Sequence, residues 1–144
     1  MDCGIPISSV NLKPVDVASF CAYIISMRGG LAVSKRNITE IKQEIYRRLM
    51  PLGLEMVVLF GSVARGDDDS ESDIDLYVVT KDETMPVSWS DKNRIYLRVS
   101  RQLRDLRTQY PIDLIVHTKA MYQKFIRQQS FIASEILNTG VSIV

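Results

Sequence analysis

GSVARGDDDSESDIDLYVV, running from Gly61 to Val79, joins a small-residue turn to an acidic apolar run. In Asp73-Ile74-Asp75-Leu76-Tyr77-Val78-Val79 the side chains of a strand alternate, so Ile74, Leu76 and Val78 share one face. Asp73 and Asp75 share the other, their Cα atoms roughly 6–7 Å apart at strand rise. Just before the turn, Glu55-Met56-Val57-Val58-Leu59-Phe60 is short, apolar and rich in β-favouring residues, and reads as a buried strand ending at Gly61. A residue without a Cβ lets backbone amides come close to a ligand, and Ser62 adds a hydroxyl. If Ser62-Val63-Ala64 opens a helical turn, its unpaired amides favour an anion at the same place. An ordinary strand-to-turn junction would carry the same pair.

Two neighbouring carboxylates on an apolar strand repel each other, and a hard divalent cation between them offsets that repulsion. The alternative is a solvated strand face at an exposed sheet edge. A third carboxylate lies further along, in Pro111-Ile112-Asp113-Leu114-Ile115-Val116. There Asp113, Ile115 and His117 point one way, and Ile112, Leu114 and Val116 the other. If this strand pairs beside the Asp73–Val79 strand, Asp113 joins the other two carboxylates. Mg²⁺ takes a few carboxylates and fills its remaining positions with water and substrate phosphates. Two such ions would clamp the attacking and leaving oxygens of an in-line displacement. A phosphate-accepting turn beside three carboxylates is the equipment for holding a metal-bound nucleoside triphosphate.

Gly61-Ser62, ten residues, then Asp73-Ile74-Asp75-Leu76, with Asp113 on a later strand, resembles the polymerase-beta nucleotidyltransferase superfamily. Gly-Ser-x-Ala-Arg-Gly, Ser-Asp-Ile-Asp-Leu and the ending from Phe131 to Ile143 resemble its minimal nucleotidyltransferases, and the similarity runs from about Ile38 to Val144. The resemblance implies triphosphate binding at Gly61 and Ser62, metal binding at Asp73 and Asp75, and a third metal ligand at Asp113 that helps activate the acceptor hydroxyl. It places Arg65 where it can add charge near the phosphates; a surface arginine paired with Asp67–Asp69 is the plain alternative. Two Mg²⁺ ions, ATP or another nucleoside triphosphate, and a small helical partner of the HEPN type are implied too. In some such pairs the transferase acts as an antitoxin by adenylylating a tyrosine of a toxic, RNA-cleaving partner. Two other functions fit: a binding module that neutralises the partner by contact alone, and a transferase acting on a small molecule such as an antibiotic.

The 144 residues, 46% of them hydrophobic, suffice for one core. A net charge of +1 argues against a protein whose main task is coating nucleic acid. Residues 34–144 are expected to form the nucleotidyltransferase domain, an α/β fold with a mixed sheet and helices packed on it. Residues 1–33 have no counterpart in the minimal pattern and read as a helical or partly disordered extension. Their apolar stretch, Val15 to Ser26, is too short to span a bilayer, and Cys3 and Cys21 suggest reduced thiols in a cytoplasmic protein. A homo-oligomer is compatible with the sequence.

Asn37 with Glu40 is a capping pair for a helix whose apolar stripe is Ile38, Ile41, Ile45 and Leu49, stopped by Pro51 and Gly53. Pro86 bars a regular helix in the connector Thr80–Ser90. One long helix is expected from about Asp91 to Gln109, with Ile95, Val99, Leu103, Leu106 and Tyr110 inward. Its cations, Lys92, Arg94, Arg98, Arg101, Arg104 and Arg107, fall in several directions and suit a solvated face better than a nucleic-acid track. Trp89 is read as a core-edge cover or a base-stacking ring, and His117 as a solvated rim residue or a substrate contact. Helical segments at Ala120–Ile126 and Phe131–Leu137 and a terminal strand are expected to complete the core.

Overall fold

A computed structural model describes residues 37–67 and 72–144. The expected extension 1–33, with Cys3 and Cys21, and most of the acidic loop, 68–71, lie outside the described residues. The chain order is α1 (Ile38–Leu49), a 3₁₀ turn (Met50–Leu52), β1 (Met56–Phe60), α2 (Gly61–Arg65), β2 (Ile74–Val79), α3 (Trp89–Gln102), α4 (Arg104–Arg107), β3 (Ile112–His117), α5 (Lys119–Arg127), α6 (Phe131–Thr139) and β4 (Val141–Ser142).

The four strands form one mixed sheet in the order β3-β2-β1-β4. β1 runs antiparallel to both β2 and β4, whereas β2 and β3 are parallel. Alternation along the strands gives the sheet two apolar faces. Val57, Leu59, Ile74, Leu76, Val78, Ile112 and Val116 pack under Ile41, Ile45 and Leu49 of α1, Val99 of α3 and Leu106 of α4. Met56, Val58, Phe60, Tyr77 and Val79 pack under Tyr122 and Ile126 of α5 and Ile136 of α6. The sheet thus lies between two helical layers, and the last two helices complete the core as expected. Gly140, between α6 and β4, has no room for a side chain: a Cβ there would lie 2.5 Å from Val58 Cγ1 and 2.2 Å from the carbonyl oxygen of Ile136.

Local signals placed the element ends well. The Asn37 side chain accepts from the Glu40 N–H at 3.4 Å, and Gly53 closes the 3₁₀ turn in the left-handed region at φ +59°. Ser88 caps α3 by accepting from the Asp91 N–H at 3.1 Å. The long helix expected from Asp91 to Gln109 is a correction. It starts at Trp89 and breaks at Leu103 (φ −96°, ψ 4°), where the N–H bonds only three residues back, to Ser100, before the short α4 resumes. Leu103 and Leu106 stay buried across the break, so the apolar stripe survives the interruption. Among the described residues no helix is long and apolar enough to cross a membrane.

Candidate active site

The parallel pairing of β2 and β3 puts Asp75 directly opposite Asp113, and the antiparallel pairing of β1 and β2 puts Phe60 opposite Asp75. The turn at Gly61, the Asp75 carboxylate and the Asp113 carboxylate therefore line up across three adjacent strands at one end of the sheet. β2 is an interior strand, which rules out the exposed-edge explanation of its acidic residues. Asp73 stands just before β2 and is exposed. The next residue, Ile74, donates its N–H to the Pro111 carbonyl at 2.9 Å and pins the two strand starts together.

Gly61 follows an extended Phe60, takes φ +75° and begins α2. A Cβ at this position would sit 2.2 Å from Asp75 Oδ2. Glycine is thus required twice, by a backbone angle that L side chains rarely adopt and by the carboxylate lying against it. Ser62 is half-buried, and its carbonyl accepts the N–H groups of Gly66 and, at 3.1 Å, Asp67, which folds the turn back tightly.

Asp75 is the electrostatic focus. Burial pushes its carboxyl above the ordinary carboxylate range, the negative charges of Asp113, Asp73 and Glu135 push it further, and Arg65 pulls the other way. Arg65 relieves the strain only in part, because it is already engaged. Its guanidinium bonds the Glu135 carboxylate and sits 3.5 Å from Asp67. The plain expectation for Arg65, pairing with the acidic loop, is thus seen at Asp67, while Asp68 and Asp69 lie outside the described residues. Glu135 is the residue sequence reasoning missed. It lies on α6, seventy positions from Arg65, and no local pattern announces a contact made only when α6 packs on α2.

Two apposed carboxylates, Asp75 partly buried and Asp113 exposed, with repulsion that Arg65 offsets only in part, are the donor chemistry a hard cation prefers. Among the described residues no three His, Cys, Asp or Glu side chains converge closely enough to enclose an ion by themselves. The donor set fits a cation that keeps water and phosphate oxygens in its remaining positions.

The other singled-out residues lie elsewhere. His117 is four positions beyond Asp113, at the far end of β3, with Nδ1 2.8 Å from the buried Tyr77 hydroxyl. It is neither a solvated rim residue nor a neighbour of the carboxylates. Trp89 is 79% exposed at the start of α3, so it covers no core edge. Arg98 bonds Asp82, Arg94 stands 3.7 Å from Asp91, and Arg107 bonds the hydroxyls of Tyr96 and Ser100, as a solvated helix face would.

Similarity to known proteins runs through this region. A family model described as polymerase beta, nucleotidyltransferase, matches residues 36–143. A protein of Methanocaldococcus jannaschii, provisionally named a protein adenylyltransferase, is 34% identical over 106 residues, spanning 74% of this chain and 94% of its own length. Among solved structures, a toxin–antitoxin with AMP-PNP aligns over 72% of each chain at 19% identity and a TM-score of 0.46. A protein of Sulfolobus solfataricus, provisionally named a nucleotidyltransferase, aligns over 78% of this chain and 90% of its own at 24% identity and a TM-score of 0.48.

Proposed function

The chain belongs to the polymerase beta nucleotidyltransferase family, and from that premise we propose that it transfers AMP from ATP to a hydroxyl group on a protein. The observation that carries the reading is the alignment of Gly61, Asp75 and Asp113 across three neighbouring strands, with the Asp75 carboxylate against the glycine backbone.

In this reading the backbone amides at Gly61 and Ser62 receive the triphosphate, and Arg65 contributes positive charge beside it. Asp73, Asp75 and Asp113 would hold two Mg²⁺ ions, whose chemistry is to neutralise phosphate charge and acidify the acceptor hydroxyl. Asp113 takes the hydroxyl proton as the acceptor oxygen bonds to the α-phosphorus. The bond from that phosphorus to the bridging oxygen breaks, and pyrophosphate leaves. Catalysis is then positioning and electrostatics, with no covalent enzyme intermediate.

The acceptor we assign is a tyrosine of a HEPN-type partner, which the modification would silence. The resemblance to minimal nucleotidyltransferases supports this assignment, and the name of the 34% identical relative supports a protein as acceptor. The test is transfer of label from ATP radiolabelled at the α-phosphate, with Mg²⁺, to a co-expressed HEPN-type protein. Asp75→Asn is expected to cut labelling by roughly 10²–10³-fold, the scale for removing a preorganised charge-stabilising group. If the folded wild-type protein transfers no label from any of the four nucleotides, yet neutralises the partner, and Asp75→Asn does so equally, the contact-only binding module takes its place.

A further inference from the structure

A concave region lies at the opposite end of the same sheet face from the aspartates. It is a cleft of about 460 Å³ bordered by Trp89, Lys92, His117, Met121, Lys124 and Phe125. By strand rise the four residues from Asp113 to His117 separate it from the aspartates by roughly 13 Å. One wall is rigid: the Phe125 ring stacks on Tyr77 at 5.4 Å and meets His117 edge-on at 5.2 Å. The other wall is the exposed Trp89 ring, preceded along the connector by exposed Met85 and Val87.

The polar groups of the cleft have a definite sense. Burial keeps the Tyr77 phenol protonated well above its usual range. Its only hydrogen-bond partner among the described residues is His117 Nδ1, so the phenol donates to that nitrogen. Burial, and then the Lys92 charge, hold the His117 pKa down to about 4, so the ring is neutral near pH 7 and carries its hydrogen on Nε2. Lys92 and Lys124 are exposed and have no ion pair among the described residues, and no carboxylate borders the cleft. Two aromatic faces, an N–H donor and two unpaired ammonium groups in a space of ligand size suit one chemistry: a flat heterocycle carrying phosphate.

We propose that this cleft binds a nucleotide, with its base on Trp89 and its phosphate on Lys92 and Lys124, at a site separate from the aspartates. The proposal does not depend on the transfer reaction. The ligand can be a free nucleoside monophosphate or a nucleotide within an RNA strand, since both present the same groups.

Trp89 is the only tryptophan in the chain, so intrinsic fluorescence reports on the cleft directly. AMP titrated without added metal is expected to quench Trp89 saturably, because a stacked base quenches an indole. Asp75→Asn is expected to leave the titration unchanged. A Lys92→Glu, Lys124→Glu double variant, both positions being exposed, is expected to weaken half-saturation by tenfold or more while far-ultraviolet circular dichroism stays native. Quenching that rises linearly, persists unchanged in the double variant, or disappears in Asp75→Asn would overturn the assignment. A hexa-adenylate RNA distinguishes the sources. Half-saturation at least tenfold below that of AMP identifies a strand, and no such gain identifies the free nucleotide.

Discussion

The two ends of one sheet face treat their ionisable groups in opposite ways. At the Gly61 end, Asp75 faces Asp113 with Asp73 and Glu135 near, and the one cation in its field among the described residues, Arg65, is bonded to Glu135. At the other end, Tyr77 and His117 satisfy each other across the same two strands. Both ends are partly buried, and burial acts on both, pushing the Asp75 carboxyl up and the His117 imidazole down. Tyr77 and His117 satisfy each other and leave no repulsion behind. Repulsion left standing at Asp75 marks the end that awaits a cation.

The largest effect that would test this contrast is at Gly61. Gly61→Ala forces a side chain into the left-handed region at φ +75° and sets its Cβ 2.2 Å from Asp75 Oδ2. Chemical denaturation is expected to show a loss of about 2–4 kcal/mol, combining left-handed strain with overpacking. In an Asp75→Ala background the overpacking disappears and only the strain, about 1–2 kcal/mol, should remain. Equal losses in both backgrounds would mean that the carboxylate does not press on the turn.

A second test asks whether the two ends differ in sign. Tyr77→Phe strips His117 Nδ1 of its donor and is expected to cost about 1–2 kcal/mol. Asp75→Asn should instead raise the melting temperature at neutral pH, because it removes an ionised group the fold disfavours. The pH windows follow from linkage. A raised Asp75 pKa means that stability falls as pH climbs from the ordinary value of 3.8 through the folded one, so the gain from Asn vanishes in acid below that range. A lowered His117 pKa means that stability is full above 6.5 and is lost as pH falls towards about 4. Melting curves that showed both variants shifting the same way would erase the distinction between the ends.

The acidic end was legible in the sequence because its key residues are local. Alternation in Asp73–Val79 and the glycine after β1 sit within one stretch, and Asp113 needed only the assumption that its strand pairs alongside, which the parallel β2–β3 register bears out. The other end was not legible, since the meaning of His117 depends on Tyr77 across a strand and on Phe125 from α5. The break at Leu103 escaped for a different reason. The apolar spacing of Val99, Leu103 and Leu106 continues through it, so periodicity sees one helix where the backbone makes two. Glu135 stayed hidden in a helix whose local sequence reads as core packing, because its role is set by where α6 docks.

Glu135 also supplies the smallest and most specific test of the repulsion at Asp75. Among the described residues, four charged groups act on that carboxyl, Asp113, Asp73 and Glu135 raising its pKa and Arg65 lowering it. Glu135→Gln deletes one negative charge and frees Arg65 from its bonded carboxylate, and both changes favour the ionised form of Asp75. If the transfer reaction needs that form, the acid limb of its pH–rate profile should move to lower pH, with a change of only a few-fold in the neutral-pH rate. Glu135 would then be a positioning residue that acts through Arg65. Loss of the fold alone would lower the rate at every pH without moving the limb, and a Glu135→Asp variant that kept the wild-type profile would tie the effect to charge.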